Sequence, residues 1–223
     1  MTVVSMGGNP SRYVVERVTS KMANDLTIRR HYLRRRASTM FAWGLFDGME
    51  LLGVVIYGKP ASPFPCIGVC GAEESSRVLE LTRLWIDDSA ERNSESFLIG
   101  SSLRQLPEDY DIVLSYAEIE AGHLGVVYQA TNWIYTGLSS AHKDWAIEGE
   151  TVAHSRHRLD ELGGVNKARA LLGDNLVQYE RGRKHRYVMF RGSKTRRKEL
   201  LGKLRYAPQD YPKIPAHLTQ LED

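Results

Sequence analysis

Residues 78–137 carry the clearest alternation of apolar and polar segments in the chain. Two apolar runs, VLELTRLWI at 78–86 and DIVLSYAE at 111–118, have the length and composition of buried strands. Residues 94–106 between them predict a helix, and Gly122 opens a second helix through HLGVVYQATNW. Short connections in the order strand, helix, strand, helix favour parallel neighbouring strands that are covered by helices.

The helix predicted over 94–106 has defined ends. Its apolar residues recur at helical spacing, at Phe97, Leu98, Ile99, Leu103 and Leu106. Asn93 is the predicted N-cap, because its side-chain oxygen can accept an orphan backbone N–H of the first turn. Pro107 ends the helix, since its ring interrupts the hydrogen-bonding pattern.

Further elements are predicted on both sides of this region. The upstream segment FAWGLFDG-MELLGVVIYG predicts a hairpin around Asp47-Gly48, a dipeptide that tolerates positive φ. The stretch at 59–76, rich in Pro and Gly, predicts a long connecting loop. The remaining predictions are a strand in YVVERV, a helix over 19–33, a short strand in LSSAHKDWAIEG, a helix over 159–172, a strand in RYVMF and a basic helix in SKTRRKELLGKL capped by Ser193.

The distribution of charge along the chain indicates the kind of partner that the protein binds. With 223 residues, 42% of them hydrophobic, we predict one core over 1–180 and a basic C-terminal segment over 181–223. Residues 151–223 hold 16 Lys or Arg against 8 Asp or Glu, a net +8, whereas residues 1–150 hold 14 against 19, a net −5. This split predicts a polyanionic partner. No apolar run reaches about 18 residues, so no membrane span is predicted.

The motifs of the central region resemble a known family. ELTRLW, NSES, SYAE and GHLGVVYQATNWIYTG occur in this order, with GLFDG upstream and KHRYVMF downstream. Together they resemble the Mom family of phage DNA-modification proteins, distant relatives of the GNAT N-acyltransferases, over residues 29–212. The resemblance implies an α/β, GNAT-like fold with a central mixed sheet flanked by helices. It also implies conversion of adenine in double-stranded DNA to carbamoylmethyl (acetamido) adenine, which protects the DNA from host restriction endonucleases.

The helix after the fourth strand is where such a fold normally binds the pyrophosphate of its cofactor, at free backbone N–H groups. This chain has RNSESFLIG there, without the glycines of the usual acyltransferase pattern and with Glu95 facing the phosphate site. An ordinary acetyl-CoA site is therefore not predicted, and the donor stays open between acetyl-CoA and another acyl or aminoacyl donor. Asn93 and Ser94 become candidates for substrate binding, although helix capping alone explains such residues.

Four residues are predicted to be catalytic, and for Arg83 and Tyr128 a structural role is the alternative. Arg83 in its apolar strand needs a partner, either Glu80 or Glu118 or a ligand. Arg83 and Ser96 match the functional Arg and Ser that the resemblance implies, and they would stabilise developing charge. Glu118, at the end of its strand, is the predicted general base, although the family more often has Asp there. Tyr128 is the predicted general acid, although a buried Tyr on a helix is more often a packing residue.

Other residues are predicted to bind the base, the phosphates or a metal. Tyr57 and Asn132 are the remaining base-binding candidates, since a base in duplex DNA must be flipped out to be modified. The predicted phosphate contacts are Arg29, Arg30, Arg34, Arg35, Arg36, Arg183, Lys184, Arg186, Arg196, Arg197 and Lys198. A solvated helix end is the alternative for the first five. Iron is a metal that the resemblance implies, although no metal-ligand spacing is present.

Two other functions remain open from the sequence. The first is a conventional acetyl-CoA-dependent N-acyltransferase that acts on a protein, an RNA or a small amine. The second is a DNA-binding protein of the same fold without enzymatic activity. Cys66 and Cys70, without a signal peptide, are expected to be reduced thiols in the cytoplasm. No pattern indicates an oligomeric state.

Overall fold

The computed structural model describes residues 12–151, 155, 158, 159 and 161–213, and it has the predicted α/β fold with a central mixed sheet flanked by helices. The strands are β1 (Val14–Arg17), β2 (Phe41–Asp47), β3 (Glu50–Gly58), β4 (Val78–Ile86), β5 (Ile112–Glu118), β6 (Ile134–Leu138), β7 (His142–Ile147), β8 (Leu176–Arg181) and β9 (Lys184–Phe190). The helices are α1 (Ser20–Arg30), α2 (Pro63–Cys70), α3 (Ser94–Gln105), α4 (Val126–Ala130), α5 (Val165–Leu172) and α6 (Lys194–Lys203).

Seven strands form the main sheet, in the order β1-β2-β3-β4-β5-β9-β6. The predicted hairpin is confirmed, because β2 and β3 are antiparallel and Gly48 takes a φ of +58° in the turn between them. The predicted parallel pair is confirmed in β4 and β5. Their backbones pair only between Val78–Glu80 and Ile112–Leu114, although both strands continue well beyond these residues.

Three predicted elements differ from the structure: one predicted loop contains a helix, and two predicted helices are shorter than expected. The predicted loop over 59–76 contains α2, which begins at Pro63, a residue that suits the first turn of a helix. The helix predicted from Gly122 is only the five-residue α4, because Gly122 and Gly125 both take positive φ. The helix predicted over 159–172 is likewise interrupted, because Gly163 and Gly164 take positive φ before α5 begins at Val165.

The core of the sheet is aromatic. Trp43 and Tyr57 on β2 and β3 pack edge to face with ring centroids 5.7 Å apart, and both are fully buried. Trp133 and Tyr187 are also fully buried in the same cluster. Burial of such large side chains is the dominant favourable contribution to folding. The thiols of Cys66 and Cys70 are free and buried under the sheet, and burial raises the pKa of Cys70 to about 11.

An ion network around the two buried carboxylates of Glu74 and Asp111 joins the starts of β4 and β5 to helix α6. Arg77, just before β4, binds both carboxylate oxygens of Asp111, just before β5, at 2.9 and 2.8 Å. Arg196 on α6 donates to Asp111 at 2.9 Å and also binds Glu74. Lys203 binds Glu74 at 2.6 Å. The guanidinium of Arg196, and then the ammonium of Lys203, lower the pKa of Glu74 to about 2.

Contacts divide the described residues into two compact units. The first comprises residues 12–117, 123–137 and 185–213, and it includes most of the main sheet. The second comprises the described residues of 118–122 and 138–184, in which β7 and β8 form an antiparallel pair beside α5. Apart from Lys184, β9 lies in the first unit together with α6, while the predicted boundary at residue 181 stays a prediction. Among the described helices, none has the length and apolar character that a membrane crossing requires.

Replacing Arg196 with Ala should destabilise the protein strongly. The change leaves the buried carboxylates of Glu74 and Asp111 without their shared cation, and breaking a buried ion pair costs about 3 kcal/mol. The measurement is the free energy of unfolding in urea. Arg197→Ala is the matched control, because Arg197 is exposed and its loss should cost less than about 0.5 kcal/mol. Equal stability of the two variants would contradict a structural role for Arg196.

Candidate active site

The first turn of α3 differs from the prediction at its cap. Asn93 precedes the helix in the left-handed region, with φ +68°, and its side chain makes no capping hydrogen bond, so the predicted side-chain cap was wrong. Its carbonyl oxygen instead accepts from the Ser96 hydroxyl at 3.0 Å and from the Phe97 N–H at 2.9 Å. Ser94 is fully buried and donates to the Glu91 carbonyl at 2.6 Å. Asn suits this position because it tolerates positive φ.

Arg83 lies on β4, beyond the part of the strand that pairs with β5. It lies opposite Ile56 of β3, and its side chain is partly buried. Its guanidinium donates to the Thr82 carbonyl at 2.6 Å. The strand thus carries a cation at the point where the β4–β5 pairing has ended.

Tyr128 is buried on α4 and hydrogen-bonds with Ser115 of β5. Its ring packs against Trp133 and Tyr187, each with a centroid distance of 5.2 Å. Burial is the largest cause that raises the pKa of Tyr128 to about 12, and the bond with Ser115 opposes it. The hydroxyl is therefore protonated at neutral pH.

Ser115 is a residue that the sequence analysis missed. It is fully buried in β5, and its hydroxyl donates at 3.1 Å to the carbonyl of Leu81 on β4, two residues before Arg83. Ser115 therefore connects Tyr128 to the strand that carries Arg83. The available signal was a single serine inside the apolar run IVLSYAE.

Glu118 ends β5 and belongs to the second unit. Within that unit its carboxylate forms an ion pair with Lys184, and both side chains are 24% exposed. The predicted base therefore has a cation beside it. Lys184, predicted to contact phosphate, is engaged with a protein carboxylate in this structure.

Tyr57 and Asn132 lie in different surroundings. Tyr57 is fully buried, and its hydroxyl is 2.8 Å from that of Ser102 on α3, so it meets a base only if the core rearranges. Asn132 is exposed in the turn after α4, where it takes a φ of +59°. A left-handed backbone explains an Asn at this position without a ligand. Base binding by either residue stays a prediction.

The predicted phosphate contacts fall into two groups. Those with exposed side chains are Arg29, Arg30, Arg34, Arg35, Arg36, Arg183, Arg197 and Lys198. Lys184, Arg186 and Arg196 are engaged within the protein. Arg186 is buried, donates at 2.9 Å to both the hydroxyl and the carbonyl of Thr136, and lies 3.5 Å above the centroid of the Tyr206 ring. The exposed group alone presents its charges to a partner without rearrangement.

The described residues include no group of three or more His, Cys, Asp or Glu side chains that could hold a metal ion. Iron, the metal that the resemblance implies, therefore has no such group of ligands among the described side chains.

The arrangement of β4, α3 and β5, with a parallel pair after three antiparallel strands, defines a GNAT-like α/β fold. The chain belongs to the Mom protein family, whose model matches residues 12–213. It is 30% identical over 222 residues to "Methylcarbamoylase mom" of Escherichia phage Mu, covering 95% of this chain and 87% of that protein.

Solved structures similar to this chain include two acetyltransferases. One is a Bacillus subtilis acetyltransferase in complex with CoA, with 12% identity, and the other is a GNAT family acetyltransferase from Elizabethkingia anophelis with acetyl-CoA bound, with 9% identity. Each comparison covers 81% of this chain and 99% of the other, with a TM-score of 0.44.

Alkaline pH should destabilise the protein partly through Tyr128. Its folded pKa of about 12 lies above the ordinary value of 10, so its contribution is complete below pH 10 and is lost as the pH rises towards 12. By about pH 11 the loss should reach about 1 kcal/mol. The measurement is the urea midpoint of the wild type and of Tyr128→Phe at neutral and alkaline pH. The variant should lose less stability on alkalinisation, and an identical loss would contradict the assignment.

Proposed function

We propose that this protein is a transferase that modifies adenine in double-stranded phage DNA, adding a carbamoylmethyl (acetamido) group to the exocyclic amine. The observation that carries the proposal is the similarity to the phage Mu methylcarbamoylase over nearly the whole chain. The match of the family model over 12–213 supports it further. Modified adenines would protect the DNA from host restriction endonucleases.

The proposed chemistry assigns one role to each candidate residue. Glu118, whose carboxylate pairs with Lys184, accepts a proton from the adenine amine. Arg83 and Ser96 stabilise the charge that develops on the transferred group. As the bond between the adenine nitrogen and the transferred group forms, the bond to the donor's leaving group breaks, and Tyr128 donates a proton to that leaving group.

The proposed donor is an acyl-type or aminoacyl-type molecule. The N-terminus of α3 follows the fourth strand, which supports a role for this turn in donor binding. Glu95 in the first turn is exposed and carries a charge that disfavours a pyrophosphate. The donor is therefore proposed to be recognised in another way than by the phosphate contacts of an ordinary acetyl-CoA enzyme.

Expression of the protein should add an acetamido group to adenosine in plasmid DNA, and Tyr128→Phe should abolish or strongly reduce this product. The variant retains the ring that packs on Trp133 but lacks the proposed proton donor. Nucleoside mass spectrometry of plasmid DNA is the measurement. Tyr110→Phe is the matched control, because Tyr110 lies before β5, with its ring 5.5 Å from Phe41.

The same assay separates the competing functions. Unmodified DNA in cells that contain folded protein would refute DNA modification. Turnover of acetyl-CoA with an amine acceptor would then support a conventional N-acyltransferase, whereas salt-dependent DNA binding alone would support a non-enzymatic DNA-binding protein. Full modification by Tyr128→Phe and by Glu118→Gln would remove the proposed acid and base while leaving the overall function in place.

Removing the exposed Arg197 should weaken DNA binding without affecting the fold. Each lost phosphate contact lowers the slope of log affinity against log salt concentration by about 0.9. The measurement is the salt dependence of binding to duplex DNA by fluorescence anisotropy, for the wild type and Arg197→Ala. Arg104→Ala is the control, because Arg104 is also exposed but lies outside the predicted phosphate contacts. Equal slopes for all three proteins would refute the Arg197 contact.

A further inference from the structure

The turn between α1 and β2 is tightly built although it lies at the surface. His31 ends α1, and its backbone N–H donates to the Thr27 carbonyl at 2.9 Å. The His31 ring accepts from the Leu33 N–H at 3.1 Å, and the His31 carbonyl accepts from the Arg34 N–H at 3.0 Å. Arg34 takes a φ of +43°, which is costly for a residue with a long side chain. A strained, well-bonded surface turn indicates that its shape has a function.

This turn exposes the ring of Tyr32 beside two imidazoles. Tyr32 is 52% exposed, whereas His31 beneath it is buried. The His31 and Tyr32 rings are stacked, with centroids 4.4 Å apart and an interplanar angle of 26°. The exposed His123, in the loop before α4, lies 5.4 Å from the Tyr32 ring at 54°. The stacking partners hold the aromatic surface in place before any ligand arrives.

The charges around this aromatic surface identify the kind of ligand. Within residues 29–36 there are five arginines and no acidic residue, and all five side chains are exposed. A planar aromatic ring beside exposed arginines suits a nucleic acid, since bases stack on the ring while the arginines bind flanking phosphates. A stacked base must be unpaired or flipped out of the duplex.

We propose that Tyr32 is a stacking platform for an unpaired base of the DNA substrate, with His31 and His123 fixing its ring. The flanking arginines bind the phosphates on either side of that base. This proposal rests on the proposed function, because it names the part of the protein that stabilises DNA opened for modification. The contact is non-covalent and leaves the stacked base chemically unchanged.

Binding to two short duplexes tests the platform. One is fully paired, and the other carries a single 2-aminopurine, a fluorescent adenine analogue, opposite an abasic site. The wild type should bind the second duplex about tenfold more tightly, and stacking should quench the 2-aminopurine fluorescence. Tyr32→Leu should lose both the preference and the quenching. Tyr32→Phe, which retains the ring, should keep both.

Two controls make the result specific to stacking. Arg35→Ala should weaken binding to both duplexes by the same factor, because a phosphate contact does not depend on the unpaired base. Thermal unfolding of each variant checks that the turn and the fold are retained. The proposal is overturned if the wild type shows no preference, or if Tyr32→Leu keeps the preference and the quenching.

The experiment also separates this proposal from the proposed function. Unmodified plasmid DNA together with the Tyr32-dependent preference would refute the modification activity and leave a DNA-binding platform. Modified plasmid DNA together with an unchanged preference in Tyr32→Leu would refute the platform and leave the activity.

Discussion

The ion pair between Arg77 and the buried carboxylate of Asp111 is the constraint on which the centre of this protein depends. It joins the residues just before β4 and β5, so the two parallel strands start side by side. Arg196 adds the C-terminal helix α6 to the same carboxylate and binds Glu74 as well. Buried charges are tolerated only when they are paired and hydrogen-bonded, so these groups must be assembled together.

Beyond their first residues, β4 and β5 are connected in a different way. The backbone pairing of β4 with β5 ends at Glu80 and Leu114, and both strands continue beyond these residues. Side chains rather than backbone pairing then connect them, since the Ser115 hydroxyl reaches the Leu81 carbonyl and also hydrogen-bonds with Tyr128. The candidate proton donor is thus linked through Ser115 to both strands, beyond the end of their backbone pairing.

The basic residues of this chain serve two different physical purposes. Arg186 and Arg196 have their guanidinium groups engaged by Thr136, Tyr206 and buried carboxylates, and they hold the C-terminal segment to the sheet. Arg183, Arg197, Lys198 and the arginines of 29–36 expose theirs. Neighbouring residues of the same type therefore differ in role, as Arg196 and Arg197 show. The net charge of +3 does not distinguish the basic residues that stabilise the fold from those that are exposed.

The sequence by itself determined the α/β class, the β2–β3 hairpin, α3 and the parallel β4–β5 pair, because hydrophobic periodicity and turn residues act over short distances along the chain. It also identified the family, through motifs in fixed order. Only the tertiary structure decided that Tyr57 is a core residue, that Ser115 contacts Tyr128, and that Arg196 is engaged by buried carboxylates while Arg197 is exposed. Burial and pairing depend on residues distant in sequence, so a Tyr, a Ser or an Arg has the same local pattern in either setting.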